Sequence, residues 1–186
     1  MKTCYIAFLL CLLSLGVLAQ DQRNRPVFSI GLQGASNVVK PNYGISGSVN
    51  ALWKAKSLGN SEVPSNWVAS VKFSQLSGKG GKGFFVSGFD KSVNENISTL
   101  SVMGGYRLGL TEPTYQKKPY ETPTAGLYVE LQAGIAFIGI PTKRPTVAGN
   151  IGYHISRSFE LNASAQYMKD WNKDLFIVGV GGAFSF

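Results

Sequence analysis

From residue 27 onward the chain alternates apolar and polar residues with a period of two, in segments separated by polar, turn-rich stretches. This is the signature of β-strands that have one face in each of two environments. The clearest pair lies near the C-terminus. In 145–155, Val147, Gly149, Ile151, Tyr153 and Ile155 share one face, and Thr146, Ala148, Asn150, Gly152 and His154 the other. In 159–167, Phe159, Leu161, Ala163, Ala165 and Tyr167 oppose Glu160, Asn162, Ser164 and Gln166. A tight turn at 156–158 joins them. Pairing His154 with Glu160 then brings Asn150 to Ser164, Tyr153 to Leu161 and Val147 to Tyr167. Both faces stay pure in that register, and a slip of one residue would mix them.

Six further segments carry the same pattern: 27–35, 43–54, 66–76, 97–109, 126–138 and 175–186. Their apolar faces hold residues such as Phe28, Ile30, Leu32, Tyr43, Val49, Trp67, Val102, Leu131, Ile135 and Phe176. The opposite faces hold Ser, Thr, Asn, Gln, Gly and a few charges. The eight segments are mostly about 10–13 residues long, whereas globular strands average about 5–6 and a tilted strand crossing a bilayer needs about 9–11. Aromatic residues gather towards strand ends, as membrane girdles require. The predicted fold is therefore an all-β, transmembrane, antiparallel up-and-down barrel of eight strands. Residues 84–89 could add a strand, and ten is the fallback because odd totals are disfavoured. A sixteen-stranded porin would need about 160 residues in strands alone and leave no loops.

Composition agrees. Of 186 residues only 15% are charged, against roughly 25% in ordinary soluble proteins. No segment after the first 20 residues is long and apolar enough for a membrane helix. Residues 1–19, MKTCYIAFLLCLLSLGVLA, read as a secretory signal peptide: Lys2 is the positive region, 5–15 the apolar core, and cleavage is expected before Gln20. The apolar run is short for an uncleaved anchor, and neither cysteine follows a lipoprotein box. Both cysteines, Cys4 and Cys11, leave with the leader, so the exported domain, residues 20–186, has no disulfide to stabilise it.

The final segment, LFIVGVGGAFSF, ends on Phe186, with Phe184, Gly182 and Val180 continuing the same face. It resembles the C-terminal signal by which outer-membrane proteins are recognised by the barrel-assembly machinery. With the segment FSIGLQGAS, the pattern of the whole exported chain resembles the small outer-membrane barrels of Bacteroidota and the OmpA/OmpX-like eight-stranded barrels. The resemblance is one of pattern and brings no catalytic motif; a peptidoglycan-binding domain of the OmpA kind is lacking. It implies an outer-membrane location in a Gram-negative bacterium, a monomer, and both termini in the periplasm. Segments 36–42, 77–95, 139–144 and 169–174 would then be extracellular loops, and 55–65, 110–125 and 156–158 periplasmic. The stretch 110–125 is long for a periplasmic turn.

Chemistry is sparse. His154 is the only histidine, and His154-x-Ser156 with Glu160 invites a hydrolase reading, since nucleophilic catalysis needs serine within reach of the histidine. Ser156 falls in a turn on the periplasmic side, so a cross-strand His154–Glu160 contact is the expected role. Lys72, Arg107, Glu130, His154 and Glu160 all fall on the inward parity, where charges must pair. They are expected to form a lumen network that rigidifies the barrel; a charged gate in a tiny pore is the other reading. The run Gly78–Gly83 has the letters of a phosphate loop without the following helix. Its Lys79 and Lys82, with Lys143 and Arg144, are candidate loop cations for lipopolysaccharide head groups. Scattered positives without interleaved aromatics argue against nucleic acid, and one histidine without cysteine argues against zinc. No cofactor is expected. The function anticipated is a non-enzymatic envelope or surface-interaction protein. The alternatives are a soluble periplasmic barrel with an apolar ligand, which would invert the faces, and a lipid-modifying enzyme.

Overall fold

The computed structural model describes residues 26–39, 42–55, 63–77, 97–113, 124–138, 142–169 and 174–186. Eight strands follow one another: β1 (Val27–Asn37), β2 (Asn42–Ala55), β3 (Ser65–Ser77), β4 (Ile97–Gly109), β5 (Leu127–Ile138), β6 (Thr142–His154), β7 (Phe159–Met168) and β8 (Leu175–Ser185). Each pairs antiparallel with the next, and β8 returns to β1, closing the barrel. Closure leaves no sheet edge with unpaired backbone groups. The chain ends are tied to one another: the Phe28 and Phe186 backbones exchange hydrogen bonds of 3.3 and 2.9 Å.

The β6–β7 register is the one the faces require, with His154 opposite Glu160, Asn150 opposite Ser164 and Val147 opposite Tyr167. The strands run further at one end than the alternation suggested. β1 and β2 continue until Asn37 faces Asn42, and β6 begins at Thr142. Residues 36, 37, 42, 77 and 142–144, and at the other end residues 55 and 65, are thus strand and not loop. The reason is that backbone pairing continues past the last clear alternation: Lys143 still faces Phe137 and Arg144 faces Ala136. Residues 1–19, 78–83 and 84–89 lie outside the described residues.

Alternation along every strand sends one set of side chains outwards and the other into the lumen. Through the middle of the barrel the outward set is apolar and exposed: Ile30, Val49, Val102, Leu131, Ile135, Val147, Ile151 and Leu161 are all between 49% and 69% accessible. The inward set is polar and buried, with Ser46, Ser70, Ser74, Ser101, Gln132 and Gln166 among it. Two inward glycines show how the β4–β5 wall coils. A Cβ on Gly105 would overlap the backbone of residues 131–132, and one on Gly134 the backbone of 102–103. Only glycine permits that approach of neighbouring strands.

The candidate site: a charged cluster inside the barrel

Adjacent strands bring four of the five charged residues expected to face inwards to the end of the barrel that carries the chain termini. Arg107 on β4 stands opposite Glu130 on β5, and His154 on β6 opposite Glu160 on β7. The Arg107 side chain then reaches across the lumen. Its Nε donates to Glu130 Oε2 at 2.7 Å and its Nη1 to Glu160 Oε2 at 3.0 Å. Arg107, Glu130, Glu160 and His154 are each no more than 2% exposed. A guanidinium suits this place because its rigid fork can serve two carboxylates at once.

The remaining oxygens of both carboxylates are also occupied. Glu130 Oε1 accepts from Gln132 Nε2 and Asn150 Nδ2. Glu160 Oε1 accepts from Asn162 Nδ2 at 3.3 Å, and the Tyr128 hydroxyl donates to the Glu160 carboxylate. Removing charges from water costs several kcal/mol per ion, and only full pairing of this kind offsets it.

Tyr128, fully buried on β5, is the member that the sequence did not single out. Its ring lies under the guanidinium, with Arg107 Cζ 3.7 Å from the ring centroid. This cation–π contact holds the arginine from the side its hydrogen bonds leave open. The segment after β4 closes over this end. Gly126 N donates to Thr111 O, and His154 N donates to Gly126 O. Ala125, wholly buried, faces His154 Nδ1 with its carbonyl oxygen at 2.8 Å. Residues 110–113 and 124–126 therefore lie against this end of the barrel.

Both nitrogens of His154 are engaged, Nδ1 with Ala125 O and Nε2 with Glu160 Oε2 at 2.9 Å. Ser156 lies exposed in the turn beyond β6. The pairing of His154 with Ser156 that acyl transfer needs is not made.

Lys72, on β3, makes its hydrogen bond outside this cluster while lying close enough to feel the charge of Glu130. Its Nζ donates to Ser164 Oγ at 3.0 Å. From there a chain of side chains crosses the lumen: Ser164 Oγ donates to Gln33 Oε1, Gln33 Nε2 to Asn162 Oδ1, and Asn162 to Glu160. The lysine is thus linked to the Arg107 cluster through neutral groups on β7 and β1. Between them lies a cavity of about 30 Å³ bordered by Gln33, Lys72, Arg107, Tyr128, Glu130 and Asn162. A water needs about 10–15 Å³ measured in this way, so this cavity has room for two or three waters. Among the described residues, no group of three His, Cys, Asp or Glu side chains could hold a metal ion.

The other sequence-derived positions lie elsewhere. Val180, Phe184 and Phe186 project outwards and are 71%, 57% and 71% exposed, with Gly182 on the same face. Lys143 is exposed at the start of β6, and Arg144 donates through Nη1 to the Lys143 carbonyl at 3.1 Å. Both belong to a strand end, which corrects their assignment to a loop. Lys79 and Lys82 lie outside the described residues.

The class defined by this geometry is a closed eight-stranded antiparallel barrel with an apolar outer wall and a packed polar interior. No protein-family model matches the chain, and no curated protein matches it. Among solved structures it is similar in form to Ail, the attachment invasion locus protein of Yersinia pestis, at 12% identity and a TM-score of 0.49, over 87% of this chain and 97% of that one. It is also similar to Neisserial surface protein A, at 9% identity and a TM-score of 0.48, over 86% and 94%. A de novo designed transmembrane β-barrel gives 15% identity and a TM-score of 0.44, over 87% and 95%. These likenesses describe overall form and carry no residue role to this chain.

Proposed function

We propose that this chain is an outer-membrane protein of a Gram-negative bacterium, a monomeric barrel that crosses the bilayer with its termini in the periplasm. Its role on this reading is structural and surface-directed: the lumen is filled, and the longer connections at the far end are the interaction surface. The observation that carries the reading is the apolar wall. Large apolar side chains stand exposed on all eight strands, from Ile30 on β1 round to Val180 on β8. The largest apolar patch on a typical soluble monomer is about 300–600 Å², and a band that encircles a barrel has no counterpart in water. Lipid tails are the partner it fits.

Two partner proposals accompany this. The outward row Val180, Gly182, Phe184 and Phe186 fits recognition of the last strand by the barrel-assembly machinery. Lys79, Lys82, Lys143 and Arg144 belong to the end that would face outwards, where cations meet the phosphates of lipopolysaccharide.

The test is heat-modifiability of the protein in isolated outer membranes, on a detergent gel with and without boiling. Enrichment in that membrane with a boiling-dependent shift in mobility is the expected result. Recovery as a soluble periplasmic protein without a shift overturns the proposal.

A further inference from the structure

The barrel does not keep one polarity along its whole length. At the end away from the termini the two faces exchange character. Several outward positions there are polar, Ser36 on β1, Gln75 and Ser77 on β3, Ser98 on β4 and Lys143 on β6, and they alternate around the rim with the apolar Ile45, Phe137 and Phe176. Ser98 Oγ donates to Gln75 Oε1 at 2.5 Å, a bond along the outer surface. Next to β8, Tyr167 donates its hydroxyl to the Asp174 carboxylate. Tyr43, also outward, is 66% exposed. The inward positions at the same level are largely apolar, Asn37, Asn42 and Arg144 excepted. Ala35, Leu76, Ile97, Ala136, Met168, Leu175 and Ile177 form a buried cluster, with Ile138 packed against it.

Polar outside and apolar inside is the arrangement of a barrel in water. Nothing in a bilayer interior would favour Gln75, Ser98, Lys143 and Asp174 on the outer surface, and lipid would not require an apolar core within. A sheet that rises out of lipid loses the acyl chains that support its outer wall. It then needs a core of its own to remain closed, and Leu76, Met168 and Ile177 supply one. The two changes occur together, at the same level, on β1, β3 and β4.

We infer that the loop-side end of the barrel stands clear of the hydrocarbon, and that the collar of Ser36, Gln75, Ser98, Lys143 and Asp174 lies in the lipid head-group layer and the water above it. The inference rests on the membrane-spanning reading and adds the level at which the membrane ends. The collar is then a binding surface for polar and anionic head groups. The hydrocarbon boundary falls between Gln75 and Phe73 on β3, and between Ser98 and Leu100 on β4, since Phe73 and Leu100 are the first exposed apolar residues below it.

The test uses the full chain with Cys4→Ser and Cys11→Ser, carrying one new cysteine at a time. Gln75→Cys, Ser98→Cys and Lys143→Cys report on the collar, and Val102→Cys and Ile135→Cys on the band. Isolated membranes are treated with a charged, water-soluble maleimide, and labelling is read after denaturation. All five sites are on the surface, and the heat-dependent gel shift verifies folding of each variant. The expected result is labelling of the three collar sites at least about tenfold faster than the two band sites, because the thiolate forms and meets the reagent only in water. Protection of all five sites means that hydrocarbon covers the collar, and overturns the inference while the membrane-spanning reading stands. Equal labelling of all five removes the lipid from the band as well, and both readings fall.

Discussion

The hydroxyl end of Tyr128 occupies the space beside Gly152. The two residues face each other on β5 and β6, and a Cβ on Gly152 would overlap the Tyr128 hydroxyl oxygen and its Cζ. The absent side chain on one strand is the space in which the hydroxyl end of the ring on the next one rests. That placement sets the ring beneath the Arg107 guanidinium, so a glycine on β6 determines how an arginine on β4 is held. Gly152→Ala is therefore expected to displace Tyr128 and cost about 1–3 kcal/mol, the usual range for an added group in a packed interior. Gly149→Ala on the same strand is the control. Its Cβ would meet only Leu131 Cδ2 at an ordinary 3.8 Å, and it should leave stability nearly unchanged. Urea unfolding in lipid vesicles compares the two.

Among the described residues, Arg107 is the one cation that touches both Glu130 and Glu160. Arg107→Met leaves Glu130 and Glu160 without it and is expected to cost about 3–5 kcal/mol, as when one partner of a buried ion pair is removed. Adding Glu130→Gln and Glu160→Gln to the same chain should recover much of the loss, because the buried negative charges go with them. A triple variant as unstable as the single one would show that packing on Tyr128, and not charge balance, is what Arg107 supplies.

Lys72 should behave differently. Its hydrogen-bond partner is the neutral Ser164, and it borders a cavity with room for water. Lys72→Met removes one buried charge without leaving a touching carboxylate unpaired. Its cost should be about 1 kcal/mol, the scale of a single hydrogen bond, well below that of Arg107→Met. A loss equal to that of Arg107→Met in the same unfolding assay would contradict the separation of the two groups.

The alternation of faces made the eight strands and the β6–β7 register legible, because a slip of one residue there would place Glu160 and Gln166 in the outer wall. The inward parity of Arg107, Glu130, His154 and Glu160 was equally readable. Their convergence was not. Arg107 meets Glu160 across the lumen from β4 to β7, and only the closure and stagger of the barrel decide which residues on distant strands share a level. The role of Ala125 was hidden for another reason: the Thr-Glu-Pro start of its segment has no periodicity, and a backbone carbonyl leaves no trace in side-chain pattern. The apolar core at the loop-side end did leave one. Leu76, Met168 and Ile177 break the polar parity of β3, β7 and β8 at the same end, and three such breaks at one level mark a change of surroundings.

That core yields a prediction of its own. Ile177 and Met168 are completely buried, so Ile177→Ala and Met168→Ala should each cost about 2–5 kcal/mol by lost burial and the cavity left behind. The loss should be similar in detergent micelles and in lipid vesicles, since these side chains pack on one another and not on lipid. A loss confined to vesicles would place them at the lipid surface.

The outer wall responds to charge according to depth. Val102 occupies the middle of β4 and is half exposed, whereas Tyr153 lies next to the end of β6 and is 40% exposed. Both side chains point outwards, and neither touches the lumen cluster. Val102→Arg must carry a guanidinium into the centre of the hydrocarbon and is expected to cost about 2–4 kcal/mol, whereas Tyr153→Arg, near the interface, should cost about 0–1 kcal/mol for its charge. The guanidinium at 153 can reach the head groups by extending along its own stem, and the one at 102 cannot. Reversible urea unfolding in lipid vesicles measures both. Equal costs would mean that no hydrocarbon gradient crosses the wall, and the membrane-spanning reading would fail with the depth dependence.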